Sequence, residues 1–364
     1  MATVVVAMSG GVDSSLTAAL IKEQGHDVIG INMRLHGSGT EEEEQNYSLN
    51  KSCCSIVEMQ DASKVCQQLG IPFYAMNFEK EFQGAVIDYF IKEYERGRTP
   101  NPCLACNDYM KFRFLLNKAL ALGADYLATG HYARNVFDQE TDQYHLLRAV
   151  DPTKDQSYVL YMLGQKQLSR IMFPLGDFTK AQVREMAAAR GLATAVKPES
   201  QDICFVAGGD YRDYIANHTK KPLAIPGPIV NLQGDVVGQH NGLPNYTVGQ
   251  RKGLGAVMSR PTYVLKLVTE TNTLVVGEDA DLRSCEMQAE KVSWVNSKWP
   301  EGKVPAKIKV RYKATELPGV IEPLNQHDRT ARIVLEQPQR AITPGQAVVF
   351  YSGDEVLGGG IITQ

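Results

Sequence analysis

Val4-Val5-Val6-Ala7-Met8-Ser9-Gly10-Gly11-Val12-Asp13-Ser14-Ser15 is the stretch whose reading decides the fold. The apolar run Val4–Ala7 predicts a buried strand, and Leu16, Ala19 and Leu20 begin a helical pattern directly after it. A strand therefore ends in a glycine turn that opens a helix. Gly10 and Gly11 let the backbone turn its N–H groups toward one point, because glycine tolerates positive φ. The unpaired N–H groups of the new helix face the same point, and its dipole favours negative charge there. Ser9, Ser14 and Ser15 add hydroxyl donors. Such a loop is a cradle for phosphate. It lacks the lysine of the common phosphate loop and is a different device. Asp13 fits an anion site if Mg²⁺ accompanies the phosphates, since that ion takes carboxylate and phosphate oxygens together. A plain strand–turn–helix joint with Ser/Asp capping would leave the paired glycines and the full set of small polar donors without a purpose.

The 364 residues allow two or three domains, and 43% hydrophobic with 22% charged residues is ordinary for a globular chain. No apolar stretch reaches the roughly 20 residues that span a bilayer. The core strand begins almost at once, with no cationic lead, so the expectation is a cytoplasmic protein with no targeting peptide and no membrane partner. The net charge of −3 does not advertise nucleic-acid binding. Charge is nevertheless segregated: residues 245–268 hold Arg251, Lys252, Arg260 and Lys266 without an acid, and residues 290–313 hold seven Lys/Arg against Glu290 and Glu301. Such patches can track a phosphate backbone, or simply be solvated strand faces. Seven cysteines, an odd number, in a reducing compartment point to thiol chemistry or metal binding wherever they cluster.

The first half alternates strands (Thr3–Met8, Val28–Met33, Phe73–Asn77, Tyr126–Thr129) with helices (Ser14–Gln24, Asp61–Leu69, Phe82–Arg96, Asp108–Leu122, Lys180–Arg190) that each end near a glycine. This pattern predicts an α/β, doubly wound parallel sheet over residues 1–208, with ligands at the carboxyl ends of its strands. Gly37–Ser52, with Glu41–Glu44, reads as a polar surface loop. After about residue 208, Gly and Pro punctuate short β-rich runs: Ile229–Asn231, Val236–Val237, Tyr263–Val268, Leu274–Val276, Lys307–Lys313, Thr330–Leu335, Ala347–Tyr351 and Val356–Ile362. These predict two small β-rich domains, 209–280 and 281–364, the last a β-barrel.

Thr99-Pro100-Asn101-Pro102-Cys103-Leu104-Ala105-Cys106-Asn107 joins two helices, and Cys106 is expected near the start of the Asp108 helix, where a thiolate is favoured. Cys103 and Cys106 form a C-x-x-C pair, which alone could be a redox couple, half a zinc site or part of an iron–sulfur site. No second C-x-x-C follows. Cys204, in Ile203-Cys204-Phe205-Val206, reads from its neighbours as a buried small hydrophobe, as do Cys53, Cys54, Cys66 and Cys285.

Ser9–Ser14 resembles the loop of the ATP pyrophosphatase group, whose fold is adenine-nucleotide-hydrolase-like. Further segments resemble one family within it, the tRNA-specific 2-thiouridylases: Gly97–Pro102, Ala128–Tyr132, Lys154–Tyr158, Ile203–Phe205, Thr247–Gly255 and Thr343–Gln346, in order from residue 3 to 363. The resemblance implies that ATP adenylates the C2 oxygen of the wobble uridine, releasing pyrophosphate, and that sulfur then displaces AMP. Adenylation makes a poor electrophile and a poor leaving group reactive, and a covalent sulfur donor divides the remaining work. It implies ATP contacts at Ala7, Met8, Ser9, Gly10, Gly11, Val12, Asp13, Ser14, Met33 and Gly130. It implies a persulfide on Cys204, and Cys106 releasing its sulfur to leave a Cys106–Cys204 disulfide. The target base would meet Asn101, Pro102 and Cys103, and tRNA would meet His131, Lys154, Asp155, Gln156, Arg311, Tyr312 and Gln346. The implied partners are tRNAs for Lys, Glu and Gln and a sulfur donor, a cysteine desulfurase or a sulfur carrier.

Cys103 departs from the family, which commonly carries Asp there. The change creates a three-thiol set, Cys103, Cys106 and Cys204, that could hold an iron–sulfur cluster instead of running a persulfide relay. Two other functions compete with the thiolation reading. One is an ATP-dependent synthetase acting on a small metabolite, which leaves Cys106, Cys204 and the β domains unused. The other is a non-catalytic tRNA-binding protein, against which the intact Ser9, Asp13, Cys106 and Cys204 count.

Overall fold

The computed structural model describes residues 1–35, 56–198, 203–206, 210–219, 224–254 and 260–363. The expected acidic loop, with Cys53 and Cys54, lies outside the described residues. The first unit runs β1 (Thr3–Ala7), α1 (Val12–Glu23), β2 (Asp27–Arg34), α2 (Ile56–Leu69), β3 (Phe73–Asn77), α3 (79–95), α4 (102–121) and β4 (Tyr126–Ala128). A hairpin, β5 (Ala133–Asp138) and β6 (Gln143–Arg148), then precedes α5 (Gln165–Leu168), β7 (Ile171–Met172) and α6 (Lys180–Ala189). The parallel sheet has the order β3-β2-β1-β4-β7. Side chains alternate across a strand, so Val4 and Val6 join one core with Leu16, Ile21, Val65 and Val183, while Val5 joins the other with Ile31, Phe82, Phe90 and Leu115. Helices α1, α2 and α6 thus cover one face, and α3 and α4 the other. Strand order reverses beside β1, between β2 and β4. The loops after β1 and β4 therefore diverge at the switch point where such sheets bind ligands.

After α7 (Tyr211–His218) comes a four-stranded sheet of β8 (Gly227–Val230), β9 (Val236–His240), β10 (Tyr263–Val268) and β11 (Thr273–Gly277), in the order β10-β11-β8-β9. The last unit has β12 (Arg283–Trp294), β13 (Val304–Lys309), β14 (Leu317–Asn325), β15 (Thr330–Arg340), β16 (Ala347–Ser352) and β17 (Glu355–Ile362). Its order β12-β15-β14-β13-β16-β17, with β12 pairing β17 again, closes a six-stranded barrel. Met287, Ile308, Ile321, Ile333, Val348 and Phe350 fill it.

The hairpin β5–β6 departs from the expected strand–helix alternation. It belongs to the barrel's sheet, with Leu147 opposite Glu355, and so joins the first unit to the last. Strands β12 and β14 also lie outside the expected β runs: β12 alternates charged with apolar residues, and β14 contains Pro318, Gly319 and Pro323.

Candidate active site

The turn after β1 takes the expected form. Gly10 has φ +77°, and a Cβ there would lie 2.1 Å from the Glu58 carbonyl oxygen at the start of α2, so only glycine fits. Ser14 Oγ accepts from Ser9 N at 3.2 Å and donates to Gly11 O at 3.1 Å, which ties the turn across itself. Asn32 Nδ2 donates to Met8 O at 2.7 Å. The loop after β4 presses against this turn: a Cβ on Gly130 would sit 2.8 Å from the Asp13 carbonyl carbon and 2.9 Å from Ser14 N. The requirement for glycine at 130 is thus an approach of backbone to backbone. Val12 is buried in the core, so only its main chain faces the turn.

Asp13 is not an open metal ligand. Its carboxylate accepts from Lys180 Nζ at 2.7 and 2.8 Å and from the Tyr132 hydroxyl at 2.7 Å. The cation at Asp13 is the Lys180 ammonium, whose side chain is 11% exposed. The loop therefore has a lysine after all, delivered from α6 across 167 residues of sequence. Lys197 Nζ gives Gly10 O a second basic contact at 3.1 Å, and pairs with Glu58 and Asp61.

Helix α4 begins earlier than expected. Asn101 caps it, accepting from Cys103 N at 3.1 Å, and Pro102 takes the first helical position, where its missing N–H costs nothing. Cys103, exposed, therefore holds the first turn, and Cys106, half-buried, lies one turn inside. From Cys106 to Leu115 the helix is a π-helix, an uncommon form often found at functional sites. Cys204 is half-buried, not a core residue. Its neighbour Phe205 is the buried anchor, 1% exposed and edge-on to Phe82 and Phe90 at 5.8 and 5.3 Å between ring centroids.

A single cavity of about 350 Å³ joins these parts. Ala7, Met8, Ser9, Asp13, Ser14, Met33 and Gly130 line it together with Pro102, Cys103, Cys106 and Cys204. Gln156, Lys111 and His131 lie on its wall. Among the described residues no three His, Cys, Asp or Glu side chains converge as a metal site, so the three thiols share a wall without forming a ligand set.

His131 is 7% exposed, packed between Phe112 and Phe173. Burial, then the charge of Lys111, pushes its pKa well below the ordinary 6.5. The unfolded chain therefore binds a proton below about pH 6.5 that the native protein refuses, and stability falls as pH drops through that value. In His131→Asn, urea denaturation between about pH 5 and 6.5 should show a flatter dependence on pH.

The remaining expected tRNA contacts divide into two groups. Arg311 is exposed, Tyr312 is 39% exposed and Lys154 is half-buried. Asp155 is buried, its carboxylate accepting from Ala149 N, Ser157 N and Ser157 Oγ, so in this structure it faces inward and shapes the turn that carries Lys154 and Gln156. The Tyr312 hydroxyl donates to Asp155 O at 2.9 Å, which docks the barrel on that turn. Gln346 likewise faces the protein: its Nε2 donates to Thr99 O at 2.7 Å. All three units meet on the segment leading into α4. Thr99 N donates to Pro344 O, Thr99 Oγ1 lies 3.2 Å from Thr247 Oγ1, and Arg98 pairs with Glu290 at 2.6 Å.

A phosphate-binding turn at the switch point of a parallel sheet, under an α/β unit with two β units appended, defines a nucleotide-using enzyme of the PP-loop class. Residues 2–208 match the family described as tRNA methyl transferase HUP domain, residues 212–278 its PRC-barrel domain, and residues 284–362 the aminomethyltransferase beta-barrel domain. The chain is 49% identical to the tRNA-specific 2-thiouridylase MnmA of Roseiflexus castenholzii, with all of both chains covered. It is 49% identical to that of Carboxydothermus hydrogenoformans, covering 99% of this chain and 97% of the relative. It is 50% identical to that of Chloroflexus aurantiacus, covering 100% and 99%. The chain belongs to the tRNA-specific 2-thiouridylase family.

Proposed function

We propose that the protein replaces the C2 oxygen of the wobble uridine of tRNA with sulfur, in two steps that share one cavity. The single observation that carries this reading is that cavity, lined by both the phosphate-binding turn and three cysteines. ATP binds with its phosphates on Ser9–Ser14, and the charge of Lys180, held by Asp13, offsets theirs. The C2 oxygen attacks the α-phosphorus and pyrophosphate leaves. Cys204, loaded as a persulfide by a cysteine desulfurase or a sulfur carrier, supplies sulfur to C2. Cys106 attacks the Cys204 sulfur, AMP departs, and the two thiols end as a disulfide that a reductant must open. The sulfane sulfur gains the two electrons that the thiols lose. Asn101, Pro102 and Cys103 flank the base, while Lys154, Arg311 and Tyr312 meet the RNA outside the cavity. The substrates are the Lys, Glu and Gln tRNAs, whose anticodon loops present an unstacked base cheaply.

Methyl transfer, which the description of the matched family would allow, gives neither the anion cradle nor the thiols a task. Pyrophosphate release tests the choice. Release from ATP should require tRNA lacking the modification. Release with a small metabolite and no tRNA would favour a synthetase, and no release at all would favour a binding protein.

A further inference from the structure

Lys111 lines the cavity that the phosphate turn and the thiols also line. Among the described residues that line the cavity it is the one permanently cationic side chain. Its Nζ lies 3.4 Å from His131 Nε2. An ammonium can only donate, so Nε2 accepts and the ring proton sits on Nδ1, which donates to Thr129 Oγ1 at 2.8 Å. Burial keeps His131 neutral, so the ring holds the ammonium without competing for its charge. The ammonium has two further protons to donate. His131 follows Gly130, whose backbone packs on Asp13 and Ser14, so Lys111 is referenced to the phosphate turn through two short links.

The π-helix carries this charge. Its i→i+5 hydrogen bonds stack residues five apart, where an α-helix stacks residues four apart. Lys111 is five residues after Cys106, and the π-helix runs from Cys106 to Leu115. Asn107, four residues before Lys111, lines the same cavity, so Cys106, Asn107 and Lys111 share one face of this helix.

Building on the adenylation reading above, we propose that Lys111 is a catalytic residue of adenylation, its ammonium contacting a non-bridging oxygen of the α-phosphoryl group as that group passes to the uridine C2 oxygen. A lone pair of that oxygen forms the new O–P bond, and the bond from Pα to the bridging oxygen breaks with its electron pair leaving on pyrophosphate. The uridine N3 proton passes to solvent. Lys111 stays protonated throughout and serves only to offset the charge that builds at phosphorus.

The test is single-turnover pyrophosphate release with unmodified tRNA and either ATP or each diastereomer of its α-phosphorothioate. Lys111→Gln should slow release about 10²- to 10³-fold, with tRNA affinity and melting temperature close to wild type, and Lys111→Arg should recover part of the rate. The wild type should discriminate between the two diastereomers, and Lys111→Gln should lose that discrimination, which a merely structural lysine would not govern. Unchanged release in Lys111→Gln, or slow release with the discrimination intact, overturns the proposal. Normal release with no 2-thiouridine formed would assign Lys111 to the sulfur step and overturns it as well. If Lys111→Gln does not fold, Lys111→Arg carries the same comparison: altered discrimination supports the contact and unaltered discrimination refutes it. Absence of release by the wild type itself would instead refute the adenylation reading.

Discussion

Cys106→Ser and Cys204→Ser proteins should make 2-thiouridine about 10³-fold more slowly than the wild type, or not at all, while still releasing pyrophosphate from ATP with tRNA. Each substitution exchanges one sulfur for one oxygen and leaves Ser9–Ser14 and the Asp13–Lys180 pair unchanged, so the adenylation machinery keeps its geometry. A serine hydroxyl cannot carry a sulfane sulfur and is a poor nucleophile at neutral pH. The double variant should be no worse than either single one, because the two sulfurs act as a unit. Single-turnover assays that follow pyrophosphate and thiolated nucleoside in the same sample separate the steps. A Cys106→Ser protein that thiolates at a normal rate would refute the role given to that residue. Cys103→Ser, at an exposed first-turn position, should cost far less.

The second large effect is expected at the Asp13–Lys180 pair. Asp13→Asn removes the charge that holds Lys180, and Lys180→Met removes the positive charge held against the phosphate turn through Asp13. Each should slow pyrophosphate release about 10²- to 10³-fold. The loss of stability should be smaller than for a fully buried pair, because Asp13 is one-third exposed and solvent screens it. The combined variant should be little slower than either alone, giving a coupling of about 1–3 kcal/mol on the activation barrier. Additive effects would mean that the two residues act separately, and that the salt bridge is incidental to catalysis.

The strand, the glycine turn and the alternating elements of the first unit were legible because their signals are local: an apolar run, two glycines and helical periodicity over a dozen residues. The barrel was legible as a class from short β runs, but its closure was not. The pairing of β12 with β17 and the docking of Leu147 opposite Glu355 join segments far apart in sequence, and no local pattern encodes a partner. The site divides in the same way. Ser9, Asp13 and Cys106 stood out by their motifs, and Cys204 only through the family resemblance. Lys180 did not, because it lies in an ordinary amphipathic helix and its meaning comes from being folded onto Asp13. Lys111 did not stand out either, because a lysine in a helix reads as a solvated face, and its meaning comes from lining the cavity beside His131. Helix α4 starts ahead of the expected Asp108 helix because Asn101 and Pro102 form a cap and first turn. Asp155 and Gln346 resemble RNA contacts in sequence. In the structure their hydrogen bonds hold the turn at Lys154 and the segment at Thr99.

The central claim is that the thiols at 106 and 204 work together in the cavity that binds the phosphates. The most direct measurement is peptide mass spectrometry on enzyme loaded with persulfide at Cys204, given ATP and tRNA for one turnover without reductant, and trapped with an alkylating agent. A disulfide joining the Cys106 and Cys204 peptides should appear in step with 2-thiouridine, one for one. Thiouridine formed while both cysteines are recovered alkylated and unlinked would contradict the account.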